Sequence, residues 1–196
     1  AADDGRRVDL ERRLVGAAYD AFIEKFVAGV SAVFPHAVVQ WEDFHKRNAF
    51  RILDRYSRRL PSFNDDIQGT AAVAVATVLA ALRITKRPVG EQRVVFMGAG
   101  EACTGVAQLL ALAMAEDGAS PEAIRASRFV FDSRGLLREG AEFDDPHKRA
   151  LATPHDVLAH YGLDALAAPT PEDVIRRVRP TVLIGERINP TGKKRL

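Results

Sequence analysis

Arg93-Val94-Val95-Phe96-Met97-Gly98-Ala99-Gly100-Glu101-Ala102-Cys103 is the stretch whose reading decides the fold. Arg93 to Met97, dominated by β-branched and apolar side chains, reads as a strand, Gly98-Ala99-Gly100 as a tight turn, and Glu101 to Ala115 as a helix that stops at Gly118. Strand, glycine turn and helix in this order open a dinucleotide-binding α/β unit. Small residues there let the backbone approach a pyrophosphate, and the helix N-terminus supplies N–H donors. Cys103 stands in place of the third glycine and reads as a small packing residue. A tight strand-to-helix turn with no ligand needs the same glycines, so both readings stay open on the turn alone.

Downstream, Arg128-Phe129-Val130-Phe131-Asp132 reads as the next strand, and Asp132 at its end is a candidate acceptor for ribose hydroxyls. It follows Gly98 by 34 residues, against roughly 20 in the usual pattern. An insertion over 117–127, with a short helix opening at Ser120-Pro121-Glu122, accounts for the difference. The stretch from Ser133 to His155 contains Gly135, Gly140 and Pro146 and reads mostly as loop. Within it, Lys148 and Arg149 are either surface charges or partners for a 2′-phosphate, which would favour NADP over NAD. A helix through Pro171 to Ile175 leads to a strand at Thr181 to Ile184, ended by Gly185. His36, His45, His147, His155 and His160 show no pairing expected of a metal site or triad.

Upstream, Tyr19, Phe22, Ile23, Phe26, Val27, Val30 and Val33 recur at spacings of three and four, predicting a helix with one apolar face, closed by Pro35. Ala37-Val38-Val39-Gln40-Trp41 predicts a short strand that delivers Glu42-Asp43 to its C-terminal end. A second helix turns Ala49, Ile52, Leu53, Tyr56 and Leu60 inward, with Lys46, Arg47, Arg51, Arg55, Arg58 and Arg59 on a solvated face. Phe63-Asn64-Asp65-Asp66-Ile67-Gln68-Gly69-Thr70 follows, then a helix to Ile84 that is apolar all round and predicted to be buried. Glu42, Asp43, Asp65 and Asp66 would repel one another if gathered without a counter-ion, and a hard divalent cation such as Mg²⁺ or Mn²⁺ resolves that conflict. Both clusters also precede helix starts, where carboxylates favour the dipole.

Composition sets the outer bounds. A chain of 196 residues with 47% hydrophobic and 28% charged residues can bury one substantial core or two small ones. Its 28 basic and 26 acidic residues give a net charge of +2, which supplies no global field for nucleic acid or an anionic membrane. One cysteine excludes an internal disulfide framework and points to a reducing, cytoplasmic setting. No apolar run reaches the roughly 18 residues expected of a membrane span, and the polar start lacks a signal-peptide core.

Four motifs in order, Val39-Gln40-Trp41-Glu42-Asp43-Phe44, Phe63 to Ala71, Phe96 to Ala102, and Phe131 to Leu137, make the region from Tyr19 to Ile184 resemble the central part of a malic enzyme. The resemblance implies an α/β fold. Residues 1–86 would be the C-terminal part of a metal- and substrate-binding domain, and 87–185 a truncated Rossmann-like NAD(P)-binding domain, a parallel sheet with helices on both faces. It also implies oxidative decarboxylation of L-malate to pyruvate and CO₂ with NAD or NADP and Mn²⁺ or Mg²⁺, in a homodimer or homotetramer. Carried over by motif, Glu42, Asp43 and Asp66 would bind the metal and Asp65 would stand behind them, orienting the site or aiding proton transfer. Gly98, Ala99, Gly100, Glu101 and Ala102 would line the pyrophosphate, with Asp132, and Arg149 further along, toward the adenosine end.

The chain departs from the family in two respects. The family's proton-transfer tyrosine and lysine lie upstream of these motifs, so Tyr19 and Lys25 receive no role, and a non-catalytic domain that binds nucleotide and metal is the alternative function. Beyond Gly185, Glu186-Arg187-Ile188-Asn189-Pro190-Thr191-Gly192 is more similar to the opening of the pterin-binding barrel of cobalamin-dependent methionine synthases. No barrel follows it, and the atypical tail is set apart as residues 186–196.

Overall fold

A computed structural model describes residues 14–143, 145–164 and 167–185, and the atypical tail lies outside them. The first half comprises α1 (Gly16–Val33), β1 (Val39–Trp41), α2 (Lys46–Tyr56), β2 (Ser62–Asn64), and a π-helical turn (Asp65–Gly69) that runs directly into α3 (Thr70–Thr85). After a 3₁₀ turn at Val89–Glu91 come β3 (Val94–Met97), α4 (Glu101–Glu116), α5 (Pro121–Ala126), β4 (Arg128–Asp132) and β5 (Gly135–Leu136). The described chain ends with α6 (Pro146–Arg149), α7 (His155–His160), α8 (Pro171–Val178) and β6 (Val182–Gly185).

The order of the larger sheet is β5-β4-β3-β6, with β3 parallel to both β4 and β6. After β3 the chain moves to one side for β4 and to the other for β6. The strand order therefore reverses at β3, and the crevice at the C-terminal ends of β3 and β6 is where such sheets bind ligands. Alternation along the strands makes the layers. Val94, Phe96 and Val130 join the core with α3 and α4, while Val95, Phe129 and Phe131 join that of α7 and α8. Fully burying each such side chain contributes about 1.5–3 kcal/mol. Helices thus cover both faces, as the sequence predicts, although β5 adds an antiparallel edge to an otherwise parallel sheet.

Arg93 anchors the far strand. Its Nε donates to the Val178 carbonyl at 2.9 Å and its Nη2 to that of Arg179 at 3.0 Å, covering orphan carbonyls at the end of α8. At the other end of α8, Thr170 and Asp173 form a reciprocal capping box.

In the smaller unit β1 and β2 pair in parallel, and α1 and α2 bury Ile23, Val27, Ile52, Tyr56 and Leu60 around Trp41. Strand β2 was not expected from its three residues, which carry no alternation long enough to read. The α1 stripe is only partly inward, since Phe22 is 56% and Phe26 44% exposed. Nor is the α2 arginine face simply solvated: Arg51 bridges to Asp20, and Arg55 and Arg59 to Glu24 on α1.

Two further expectations are corrected. Helix α3 is not buried all round: Ala71, Val75 and Leu82 pack inward, but Val73 and Ile84 are largely exposed. Joined to the π turn, it makes one helix over 65–85 whose most apolar 18-residue stretch has a mean hydropathy of 1.7, long and apolar enough to cross a membrane by length and composition. The stretch from Ser133 to His155, read mostly as loop, holds β5, α6 and a bridge between Arg138 and Thr153. Elements this short leave too little periodicity to detect.

Candidate metal and dinucleotide site

Parallel register builds the first half of the site. Pairing β1 with β2 sets Trp41 opposite Asn64, so the residues leaving the two strands, Glu42-Asp43 and Asp65-Asp66, emerge side by side. Asp43 takes a left-handed conformation (φ 58°), tolerable for aspartate, and its N–H donates to Asp66 Oδ2 at 3.0 Å. Gln40 Nε2 donates to Glu42 Oε2 at 3.1 Å. One oxygen each from Glu42, Asp43 and Asp66 then lies within 4.8 Å of the others. Asp65 stands outside that trio, near enough to the Glu42 carboxyl to raise its pKa.

The electrostatics agree with the geometry. The Gln40 hydrogen bond pulls the Glu42 carboxyl down, but desolvation together with Asp65 and Asp66 outweighs it and leaves Glu42 above its ordinary value. Such crowding of like charge is what a cation would relieve. Three hard oxygen donors fit Mg²⁺ or Mn²⁺. Glu42 and Asp43 are exposed and Asp66 half-buried, which leaves open positions for water and a substrate.

The π turn that carries Asp65 and Asp66 is held from several sides. The buried Asn64 accepts the Ile67 N–H through Oδ1 at 2.9 Å, and Gln68 Oε1 accepts the Asn64 N–H at 3.0 Å. On the side of the dinucleotide unit the turn meets α4 at Gly105. A Cβ at 105 would overlap the Ile67 carbonyl oxygen and lie 3.0 Å from its carbon. Gly105, Asn64 and Gln68 were missed as site residues in sequence, although a glycine inside an otherwise helical run is a signal of close approach.

The second half of the site is the turn before α4. Gly98 adopts φ 131° and donates its N–H to the Phe131 carbonyl at 2.9 Å, which extends the β3–β4 ladder before the chain turns. Gly100 is the N-cap of α4 and brings no capping side chain. Gly98, Gly100, Glu101 and Ala102 are half-buried at the crevice, whereas the Ala99 side chain belongs to the core, leaving only its backbone to face a ligand. Cys103 is buried, as its reading as a packing residue requires.

Asp132 sits at the C-terminal end of β4 beside this turn. Its Oδ1 accepts the Arg134 N–H at 2.8 Å and its Oδ2 accepts from Lys148 Nζ at 2.5 Å. Burial pushes the carboxyl up, but Lys148 and the Arg134 N–H overcome that and hold it below its ordinary value. Lys148 therefore reaches the C-terminal end of β4 by pairing with Asp132. Arg149 does not join them, being exposed and donating to the Phe143 carbonyl at 3.2 Å. A separate cavity of about 610 Å³ lies between α2 and α6, where Phe50 stacks on His147, but it contains none of the clustered carboxylates.

The family model for the malic enzyme NAD binding domain matches residues 67–191, and that for the malic enzyme N-terminal domain matches residues 8–57. The NADP-dependent malic enzyme of Mus musculus is 41% identical over 175 residues, covering 89% of this chain and 29% of the relative. NAD-dependent malic enzyme 1 of Vibrio vulnificus is 40% identical over 173 residues, covering 88% and 31%. Among solved structures, the malic enzyme of Entamoeba histolytica aligns with a TM-score of 0.64 at 30% identity, over 89% of this chain and 33% of that one. The NAD-dependent malic enzyme of Thermotoga maritima gives 0.61 at 25% identity, over 85% and 41%. The chain spans less than a third of the length of these curated relatives. With the dinucleotide-binding domain matched across more than half its length, the chain belongs to the malic enzyme family.

Proposed function

We propose that the chain holds the metal- and dinucleotide-binding core of an enzyme that oxidatively decarboxylates L-malate to pyruvate and CO₂ with NAD or NADP. One observation carries this reading: Glu42, Asp43 and Asp66 converge on a turn that rests against α4, the helix opened by Gly98-Ala99-Gly100. Glu42, Asp43 and Asp66 would hold Mn²⁺ or Mg²⁺, with Asp65 standing beside Glu42. The cation supplies a Lewis-acid charge that orients malate and stabilises negative charge as the β-carboxylate is lost.

Backbone N–H groups at the start of α4 receive the pyrophosphate, which places the nicotinamide end toward the carboxylates and the adenosine end toward Asp132. There the chain offers two chemistries. The Asp132 carboxylate suits the ribose 2′-hydroxyl of NAD, and Arg134 and Lys148 suit the 2′-phosphate of NADP.

A binding-only domain is the second reading, favoured by the positions of Tyr19 and Lys25, which stand away from the carboxylate cluster and receive no proton-transfer role. Tyr19 packs in the α1–α2 cluster with Arg51 5.9 Å from its ring centroid, and Lys25 is exposed on α1. Turnover decides between the two. The purified chain with Mn²⁺, L-malate and either NAD⁺ or NADP⁺ should form reduced dinucleotide, and Asp66→Ala should lower the rate by at least about a hundredfold. Binding of Mn²⁺ and dinucleotide without any turnover would leave the binding-only function standing. Unchanged Mn²⁺ affinity in Asp66→Ala would overturn the ligand assignment.

A further inference from the structure

The metal carboxylates and the dinucleotide turn belong to different parts of the chain, and the fold joins them at one backbone contact. Asp66 is followed at once by Ile67, whose carbonyl lies against Gly105, one turn along α4 from the helix start that faces the pyrophosphate. Nothing larger than hydrogen fits at 105, because the obstruction is backbone and cannot rotate away. The other side of the same turn is capped by Asn64. It is fully buried, its Oδ1 accepts the Ile67 N–H, and its Nδ2 has no hydrogen-bond partner among the described residues. An orphaned buried amide is costly, and at this position it is retained beside the carboxylate cluster.

We infer that Gly105 and Asn64 are positioning residues for the metal site, setting where Asp66 stands relative to Glu42 and Asp43. Neither touches the reacting atoms. Gly105 limits how far the π turn stands off α4, and Asn64 fixes its entry from β2. A shift of the turn by a few tenths of an ångström moves Asp66 away from carboxylates anchored on β1, so the trio opens while the rest of the core stays packed. The inference rests on the metal reading above and concerns which residues outside the ligand set decide affinity.

Mn²⁺ binding tests it without recourse to activity. Free Mn²⁺ is read from its electron paramagnetic resonance signal during titration of the full chain, with wild type, Gly105→Ala, Asn64→Ala, Asn64→Ser and Val106→Ala compared. Val106 is buried next to Gly105 in α4, so Val106→Ala loosens the same helix without pushing on the turn. Gly105→Ala and Asn64→Ala should each weaken Mn²⁺ binding by about tenfold or more, in the range seen when groups behind metal ligands are removed. Asn64→Ser keeps a capping oxygen and should recover most of the loss, and Val106→Ala should stay within about twofold of wild type. Should Gly105→Ala not fold, the two Asn64 variants carry the test. Wild-type affinity in Asn64→Ala, or an equal loss in Val106→Ala, overturns the positioning role. A wild-type chain that binds no Mn²⁺ overturns the metal reading itself and the inference with it.

Discussion

Lys148 Nζ donates to Asp132 Oδ2 at 2.5 Å, joining α6 to the end of β4 across 16 residues of sequence. The Asp132 side chain is only 7% exposed and that of Lys148 20%, so the pair is a largely desolvated link rather than a surface contact. Removing the ammonium leaves a buried carboxylate with only the Arg134 N–H and a distant guanidinium to support it.

Lys148→Met should therefore reverse the direction of the Asp132 shift, with the carboxyl moving from below its ordinary value to above it as burial takes over. Titration of the Asp132 carboxyl carbon by NMR checks this. Loss of one member of such a pair should cost about 2 kcal/mol at neutral pH. The sign follows from linkage. A carboxyl depressed in the folded state stabilises the fold above its unfolded pKa, and that stability is lost as pH falls through the folded value. The wild type should thus lose stability in acid more steeply than Lys148→Met, and parallel acid limbs would show that the pair does not form.

Glu24 on α1 accepts from Arg59 at 2.5 Å, from Tyr56 at 2.8 Å and from Arg55 at 3.1 Å. The Arg59 hydrogen bond, then that of Tyr56, pulls its carboxyl down to about 2 from 4.5. This network locks α1 onto α2 most firmly above pH 4.5 and releases it as pH falls toward 2. Glu24→Gln should flatten the pH dependence of urea unfolding across that window. Because the carboxylate remains in contact with water, the change at neutral pH should be small. An unaltered acid limb in the variant would place the pH sensitivity elsewhere.

Arg128 supports the larger sheet from beneath. It is mostly buried between α4 and α5, where its Nη1 donates to the Ala107 carbonyl at 3.0 Å and its Nε to that of Ile124 at 3.2 Å. Burial lowers its pKa without removing its charge at any ordinary pH. Arg128→Met keeps an apolar stem but loses both charge-assisted hydrogen bonds, which should cost about 1–3 kcal/mol in urea unfolding. Arg128→Ala should cost more because the stem's packing is lost as well. Equal values for the two variants would show that the stem contributes nothing.

The dinucleotide unit was legible because its signals are local. Val94 to Met97, Gly98 to Gly100 and the helix that follows each announce themselves within a few residues, and the fold realises them in that order. The second strand's acid was found as well, but Lys148 as its partner was not, since α6 is a single turn inside a stretch of mixed composition. In α3 the sequence misled: an apolar run does not say which side has a neighbour, and here Ala71, Val75 and Leu82, with Ala74 and Val78, face the core while Val73 and Ile84 do not.

The carboxylates mark the boundary between the two kinds of information. Residue types alone, with their order along the chain, determined that Glu42-Asp43 and Asp65-Asp66 were candidates and that a strand, glycine turn and helix would follow, because propensity and turn chemistry act over short separations. Tertiary structure decided which of the four meet. Parallel pairing of β1 and β2 sets Asp43 and Asp66, 23 residues apart, within one hydrogen bond, and backbone contact at Gly105 sets that cluster against the dinucleotide helix. Register and close approach are properties of packed surfaces, and no window along the chain contains both sides of either contact.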